Sequence, residues 1–243
     1  MDNILDKFGI YDFFGLLVPG MVFLYALICM DFPLLENLNY PSIDALVVVG
    51  FILLSYLCGM IMQEIGSFID DKFIHMRNKA ETNYLEKKNH KCKLLYFFMF
   101  TNSFEDKELK SIKQLIYDLV GKDIDKMKDD NKKQQVCKQV FFICKSHLEN
   151  NDKIGKAEKL NAMFAMSRDL IVCNIGIIVC IGYICLVDCL RNIHWIILIY
   201  AVTSSLILIR REKRFIEMRV RTIIRQYIDL NKAKNISNTK EKK

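Results

Sequence analysis

The stretch LIVCNIGIIVCIGYICLV, residues 170–187, decides how this chain folds. Its eighteen residues include no Asp, Glu, Lys or Arg. At about 1.5 Å per residue they form a helix of about 27 Å, close to the roughly 30 Å hydrocarbon core of a bilayer. A surface helix of a water-soluble domain turns a charged face outward every three or four residues, and this one has none to turn. Asn174 is its most polar side chain.

Outward from this stretch the same pattern repeats. Phe13 to Met30, Ala45 to Met62 and Ile193 to Ile209 are also free of Asp, Glu, Lys and Arg. The chain is 52% hydrophobic yet 26% charged, and the charges crowd between the apolar stretches. Lipid demands that segregation, because a spanning helix satisfies its own backbone and tolerates few charges. The first stretch is not a cleaved signal peptide: its flank carries Asp2, Asp6 and Asp12 against Lys7, where a signal peptide needs a basic flank. The fourth stretch is the shortest, and a buried or re-entrant hairpin of the last two is the alternative to spanning.

The expected fold class is therefore all-α, a polytopic membrane protein with four transmembrane helices in two hairpins and a helical cytoplasmic domain between them. Residues 1–62 hold the N-terminal tail and first hairpin, 63–169 the cytoplasmic domain, 170–209 the second hairpin and 210–243 a basic tail. Orientation follows Lys and Arg. Asp31 to Asp44 has neither, and Asp188 to Asn192 has only Arg191, so both hairpin loops face outward. Residues 63–169 are rich in both, and the tail opens with Arg210, Arg211, Lys213 and Arg214, so both termini and the central domain face the cytoplasm. From Arg210 to Lys243 there are twelve basic and four acidic residues, which accounts for the net charge of +7. Such residues attract anionic lipid at about 1 kcal/mol each, and the four named act as lipid anchors. No nucleic-acid partner is expected, since no binding motif accompanies the charge.

Several local readings follow. Pro19 deprives the first span of one helix hydrogen bond and frees the carbonyl of Gly15, so Gly15, Pro19 and Gly20 mark a kink or hinge. Ser55 and Gly59 stand at small-xxx-small spacing, a helix-packing signal. Ile65, Phe68, Ile69, Phe73 and Met76 predict that the second helix continues into the cytoplasm. Amphipathic helices are predicted from Phe104 to Leu119, capped by Ser103, and from Lys132 to Leu148, with a further one from about Asp152 running into the third span. The run LLYFFMF, Leu94 to Phe100, reads as a buried strand, a core helix turn or an interfacial segment. The tail is a basic amphipathic helix to Leu230 and disordered beyond Asn231.

Signatures of chemistry are missing. There is no G-x-S-x-G, H-E-x-x-H or phosphate-loop motif and no C-x-x-C pair among the nine cysteines, so neither an enzyme, a cofactor nor a metal is expected. Cys92, Cys137 and Cys144 with His90 and His147 are the weak exception, and Cys29 with Cys189 an open disulfide question. Asp70-Asp71 and Asp129-Asp130 read as solvated carboxylates. No ionisable residue lies inside a span, which removes the usual mark of an ion-coupled transporter. What is polar there is Asn174, with Thr203, Ser204 and Ser205 at similar depth, roughly 6 to 10 Å from the cytoplasmic side. They form an interhelical hydrogen-bond cluster or, after oligomerisation, line a narrow aqueous path.

The string IYDFFGLLVPGMVFL, residues 10–24, resembles the start of a loose group of uncharacterised four-helix bacterial inner-membrane proteins with a YDxxGxxxPG entry into the first span. The likeness extends to Arg168 ahead of the third span and to RREKRFIEMRVRTIIRQYIDL, residues 210–230, after the fourth. It implies the bacterial inner membrane and a membrane effector, or membrane partner, of a defence system. The expected function is a non-enzymatic, homo-oligomeric protein of the lipid bilayer that alters membrane permeability on a cytoplasmic signal, channel-like and antiviral. The alternative is an anchor or scaffold that docks a soluble cytoplasmic protein partner.

Overall fold

The computed structural model describes residues 13–30, 45–85, 104, 106–187 and 191–240. These residues are helical with short connections, and no strand occurs among them. A π-helical turn, Phe13–Leu17, leads into α1 (Val18–Cys29). α2 (Ala45–Ile69) ends in a second π-turn, Asp70–Ile74. Then follow α3 (Met76–Thr82), α4 (Asp106–Val120), a 3-10 turn (Ile124–Lys126), α5 (Asp130–Glu149), α6 (Gly155–Val187) and α7 (Asn192–Lys240).

Three helices, α2, α6 and α7, are long and apolar enough to cross a membrane, and a shorter apolar helix covers Gly15–Cys29. Their outer faces carry side chains that water would not tolerate in such number, among them Leu53, Ile61, Val179, Leu186, Ile199 and Ile207. The chain is thus all-α with helices compatible with a multi-pass membrane protein.

Contacts divide it into two compact units, Met1–Ile74 with Ala162–Glu212, and His75–Asn161 with Lys213–Lys243. In the first unit α1 is the central helix. It is apolar on every side and packs on two flanks, leaving Tyr25 exposed. A Cβ on Gly20 would fall inside the Ser55 carbonyl of α2, and one on Gly59 inside the Leu16 carbonyl, so the two backbones touch. On its other flank Val22, Phe23, Ala26 and Leu27 pack against Cys173, Ile177, Ile181, Ile184 and Ala201 of α6 and α7. A Cβ on Gly176 would lie 3.0 Å from the Phe23 ring.

The second unit has a conventional apolar core. Ile112, Leu115 and Ile116 of α4, Val140, Phe141, Cys144 and Leu148 of α5, and Ile216, Val220, Ile223 and Ile224 of α7 are buried at helical spacing. Tyr84 donates its hydroxyl hydrogen bond to the Cys137 carbonyl at 3.0 Å. Asp129 caps α5, its carboxylate accepting from the backbone N–H of Asn131 at 3.0 Å and of Lys132 at 3.4 Å.

Four local expectations change. The helix after the second span does not continue through Met76, because His75 adopts φ 54° and breaks it. The helix entering the third span starts at Gly155 rather than near Asp152, whose φ of 53° is left-handed. The tail is not disordered after Asn231, since α7 extends to Lys240: adding a residue to a formed helix requires no new nucleus. Asp70 is buried rather than solvated, because it continues the inward stripe Ser55, Gly59, Met62, Gly66 of α2. Ser103, His90, Cys92, Cys189 and the run at Leu94 to Phe100 lie outside the described residues.

Candidate functional site

Asn174, Thr203, Ser204 and Ser205 separate into one joint and two self-contained side chains. Asn174 on α6 is 3% exposed, and its Nδ2 donates to Ser204 Oγ on α7 at 2.9 Å. Ser204 Oγ in turn lies 3.3 Å from the Ala201 carbonyl. Thr203 is exposed and donates back to the Ile199 and Tyr200 carbonyls at 2.8 and 3.1 Å, while Ser205 donates to the Ala201 carbonyl at 2.7 Å. Of the four, only Asn174 and Ser204 are brought together. Such interhelical bonds in membranes average about 0.6 kcal/mol.

The N-terminal group divides similarly. Pro19 is fully buried in the first turn of α1, directly after the π-turn, whose wider winding accommodates the ring's clash with the carbonyl four residues back. Gly20 belongs to the helix contact with Ser55 and Gly59, whereas a Cβ on Gly15 would meet nothing within 4 Å. Ser55 turns its hydroxyl to the Phe51 carbonyl at 2.7 Å, leaving its backbone to face α1. In the basic segment Arg210, Arg211 and Arg214 are exposed. Lys213 is 6% exposed, because it shares the inward face of α7 with Ile216 and Val220.

At the opposite end of the first unit His194 joins α7 to α1. Its Nδ1 accepts from the Arg191 backbone N–H at 3.0 Å, which leaves the proton on Nε2, 3.3 Å from the Met30 carbonyl. That carbonyl follows the last residue of α1, where helix acceptors need outside donors.

The feature that the charge-free windows did not reveal lies just beyond them. Asp70, Arg168, Asp169 and Glu212 are 3%, 6%, 0% and 3% exposed. Asp169 precedes the charge-free stretch of α6 by one residue, and Glu212 follows that of α7 by three, so both stand outside the charge-free stretches. Arg168 Nε donates to Asp169 Oδ1 at 2.9 Å, and its Nη2 lies 3.5 Å from the Gln63 carbonyl. Asp169 Oδ2 is buried without a hydrogen-bond partner. Gly66 makes room: a Cβ there would lie 2.8 Å from Asp169 Oδ1 and 2.9 Å from Arg168 Nε. Burial pushes the Glu212 carboxyl up to about 8, with Asp70 and Asp169 adding to the rise and Arg168 opposing it. Burial likewise raises Asp169 to about 6 against the pull of Arg168. The signal for this group was in the sequence: Asp70 stands four residues after Gly66, and Glu212 eight after Ser204, each on a packed stripe.

In the second unit Arg219 Nη1 donates to Glu81 Oε1 at 3.3 Å, and its guanidinium lies 5.7 Å from the centre of the Phe141 ring. Burial raises Glu81 even against the pull of Arg219, and burial lowers Arg219. The Cys144 thiol is pushed by burial up to about 12, the reverse of a nucleophilic thiolate. Among the described residues no three His, Cys, Asp or Glu side chains are grouped to hold a metal ion.

Fold and site together define a helical protein of membrane-compatible character whose apolar unit contains buried polar joints. Comparison with protein-family models, with curated proteins and with solved structures gives no match.

Proposed function

We propose that the chain is a non-enzymatic membrane effector that, on a cytoplasmic signal, oligomerises and changes membrane permeability. In this reading four spans form two hairpins in a bacterial inner membrane, with α1 and its π-turn as the short fourth span. Both termini and the second unit face the cytoplasm, as the distribution of Lys and Arg favours.

The observation that carries the reading is the length of two helices. α6 has 33 residues and α7 has 49, and each runs unbroken from a charge-free stretch into the helical unit. A rotation or shift imposed on the cytoplasmic part of either helix passes along a hydrogen-bonded rod into the apolar part, with no loop to absorb it. A specific observation favours the alternative, an anchor or scaffold for a soluble protein partner: Asn174 and Ser204 satisfy each other within one chain, so neither needs water or a second copy.

The experiment is membrane potential, followed with a voltage-sensitive dye in bacteria expressing the full chain. The effector reading expects rapid depolarisation that Asn174→Leu or Pro19→Ala changes at equal membrane abundance. Unchanged potential, together with a soluble protein that co-purifies with the wild type, supports the anchor instead.

A further inference from the structure

The hydrogen bond from Asn174 Nδ2 to Ser204 Oγ sets the register of α6 against α7. α6 ends at Val187 and α7 begins at Asn192, four residues apart, so the two run antiparallel. Each residue counted forward from Asn174 therefore stands level with one counted back from Ser204. Ile177 and Ile181 of α6 share an apolar cluster with Ala201 and Ile197 of α7, as this register requires.

Nine residues forward from Asn174 is Tyr183, and nine back from Ser204 is Trp195. Each is 52% exposed. In the other direction, six residues lead from Asn174 back to Arg168 and from Ser204 on to Arg210. Both helices thus carry an aromatic residue and an arginine about 22 Å apart along the axis. Asp169 is the one charged residue between these levels on either helix. Exposed Arg210 reaches past its own level on a long stem, which widens the band toward the roughly 30 Å of a hydrocarbon core.

Tyr and Trp join an apolar ring to a polar tip, and in membranes they concentrate where hydrocarbon gives way to headgroups. Trp195 and Tyr200, both exposed, point about 140° apart around α7. One flat protein surface does not cover both, whereas lipid surrounds the helix.

We propose that Tyr183 and Trp195 form an aromatic girdle whose partner is the acyl–headgroup boundary of a phospholipid bilayer, and that this girdle fixes the depth of α6 and α7. The proposal rests on the membrane reading of the chain and adds a boundary at a named level. The Asn174–Ser204 joint then lies about 14 Å inside that boundary, and exposed Val179 about 6 Å inside it.

Trp195 is the single tryptophan of the chain, so its fluorescence reports its own level. The full chain is reconstituted in phosphatidylcholine vesicles brominated near the carbonyl end, the middle or the methyl end of the acyl chain. The largest loss of fluorescence is expected with bromine near the carbonyl end, declining toward the methyl end. Trp195→Phe with Tyr183→Trp moves the probe to α6 and should give the same profile, which checks the register. Trp195→Phe with Val179→Trp should shift the maximum toward deeper bromines. A Trp195 quenched most at the methyl end, different profiles from positions 183 and 195, or a maximum unmoved in the Val179→Trp chain overturns the proposal. So does quenching by aqueous iodide alone, or protection from both quenchers, which marks a second copy or a protein partner on the girdle. Vesicle flotation separates the two levels of failure. A chain that does not float with lipid refutes the membrane reading itself, whereas one that floats with any of those quenching results refutes the girdle alone.

Discussion

Gly59 and Gly15 are both glycines in the apolar unit, and they are not equivalent. A methyl on Gly59 meets the backbone of Leu16, which cannot turn aside, so Gly59→Ala must push α1 and α2 apart. Overpacking of this kind costs about 1 to 3 kcal/mol, whereas Gly15→Ala enters open space and costs little. Thermal unfolding in detergent should therefore separate the two, with a clear drop for the first alone; equal midpoints would remove the close helix contact. Asn174→Leu belongs with the mild changes. It removes a bond of about 0.6 kcal/mol, and Ser204 retains the Ala201 carbonyl, so the stability loss should stay below about 1 kcal/mol. A larger loss would mean that the joint organises more of the bundle than these contacts show. The residues around Ser55 and Asn174 were legible from sequence because small and polar side chains stand out against an apolar run. Asp70, Asp169 and Glu212 were not, because a search for charge inside the spans stops one to eight residues short of them. Following the stripe of Ser55, Gly59, Met62 and Gly66 one more turn reaches Asp70.

At the level of elements, the interiors of helices were readable and their ends were not. Val136, Val140, Phe141, Cys144 and Leu148 form the buried face of α5 that their spacing predicts. Where a helix stops depends on single backbone events instead. His75 and Asp152 take left-handed φ values that no side-chain periodicity announces. Asp129, read as half of a solvated acidic pair, proves to be the cap of α5. Replacing a capping Asp with Ala typically costs about 1 kcal/mol. Asp129→Ala should lower the thermal midpoint of the full chain and speed hydrogen exchange at Asn131 and Lys132. Unaltered exchange there would show that the first turn of α5 is held by its packing alone. Tail residues 231–240 show the opposite error: low hydrophobicity argued for disorder, but a helix already formed upstream extends at little cost.

For the whole molecule, the strongest inference from sequence was the segregation of charge. Lipid penalises a misplaced ion so heavily that spans are written in composition. The all-α character and the three long apolar helices follow from it. What a membrane protein does is written elsewhere, in which side chains meet across helices, and that needs coordinates. Thr203 and Asn174 looked equivalent by depth, but they stand on different faces: one bonds its own helix, the other its neighbour.

The central position of α1 has a temporal side. His194 meets the Met30 carbonyl across a separation of 164 residues. At ribosomal speeds of about 5 to 20 residues per second, roughly 8 to 33 s elapse between synthesis of the two partners. During that interval α1 has α2 beside it, but the flank bearing Val22, Phe23, Ala26 and Leu27 waits for helices not yet made. That flank of α1 is therefore covered only once α6 and α7 have been made, long after α2 has taken its place on the other side.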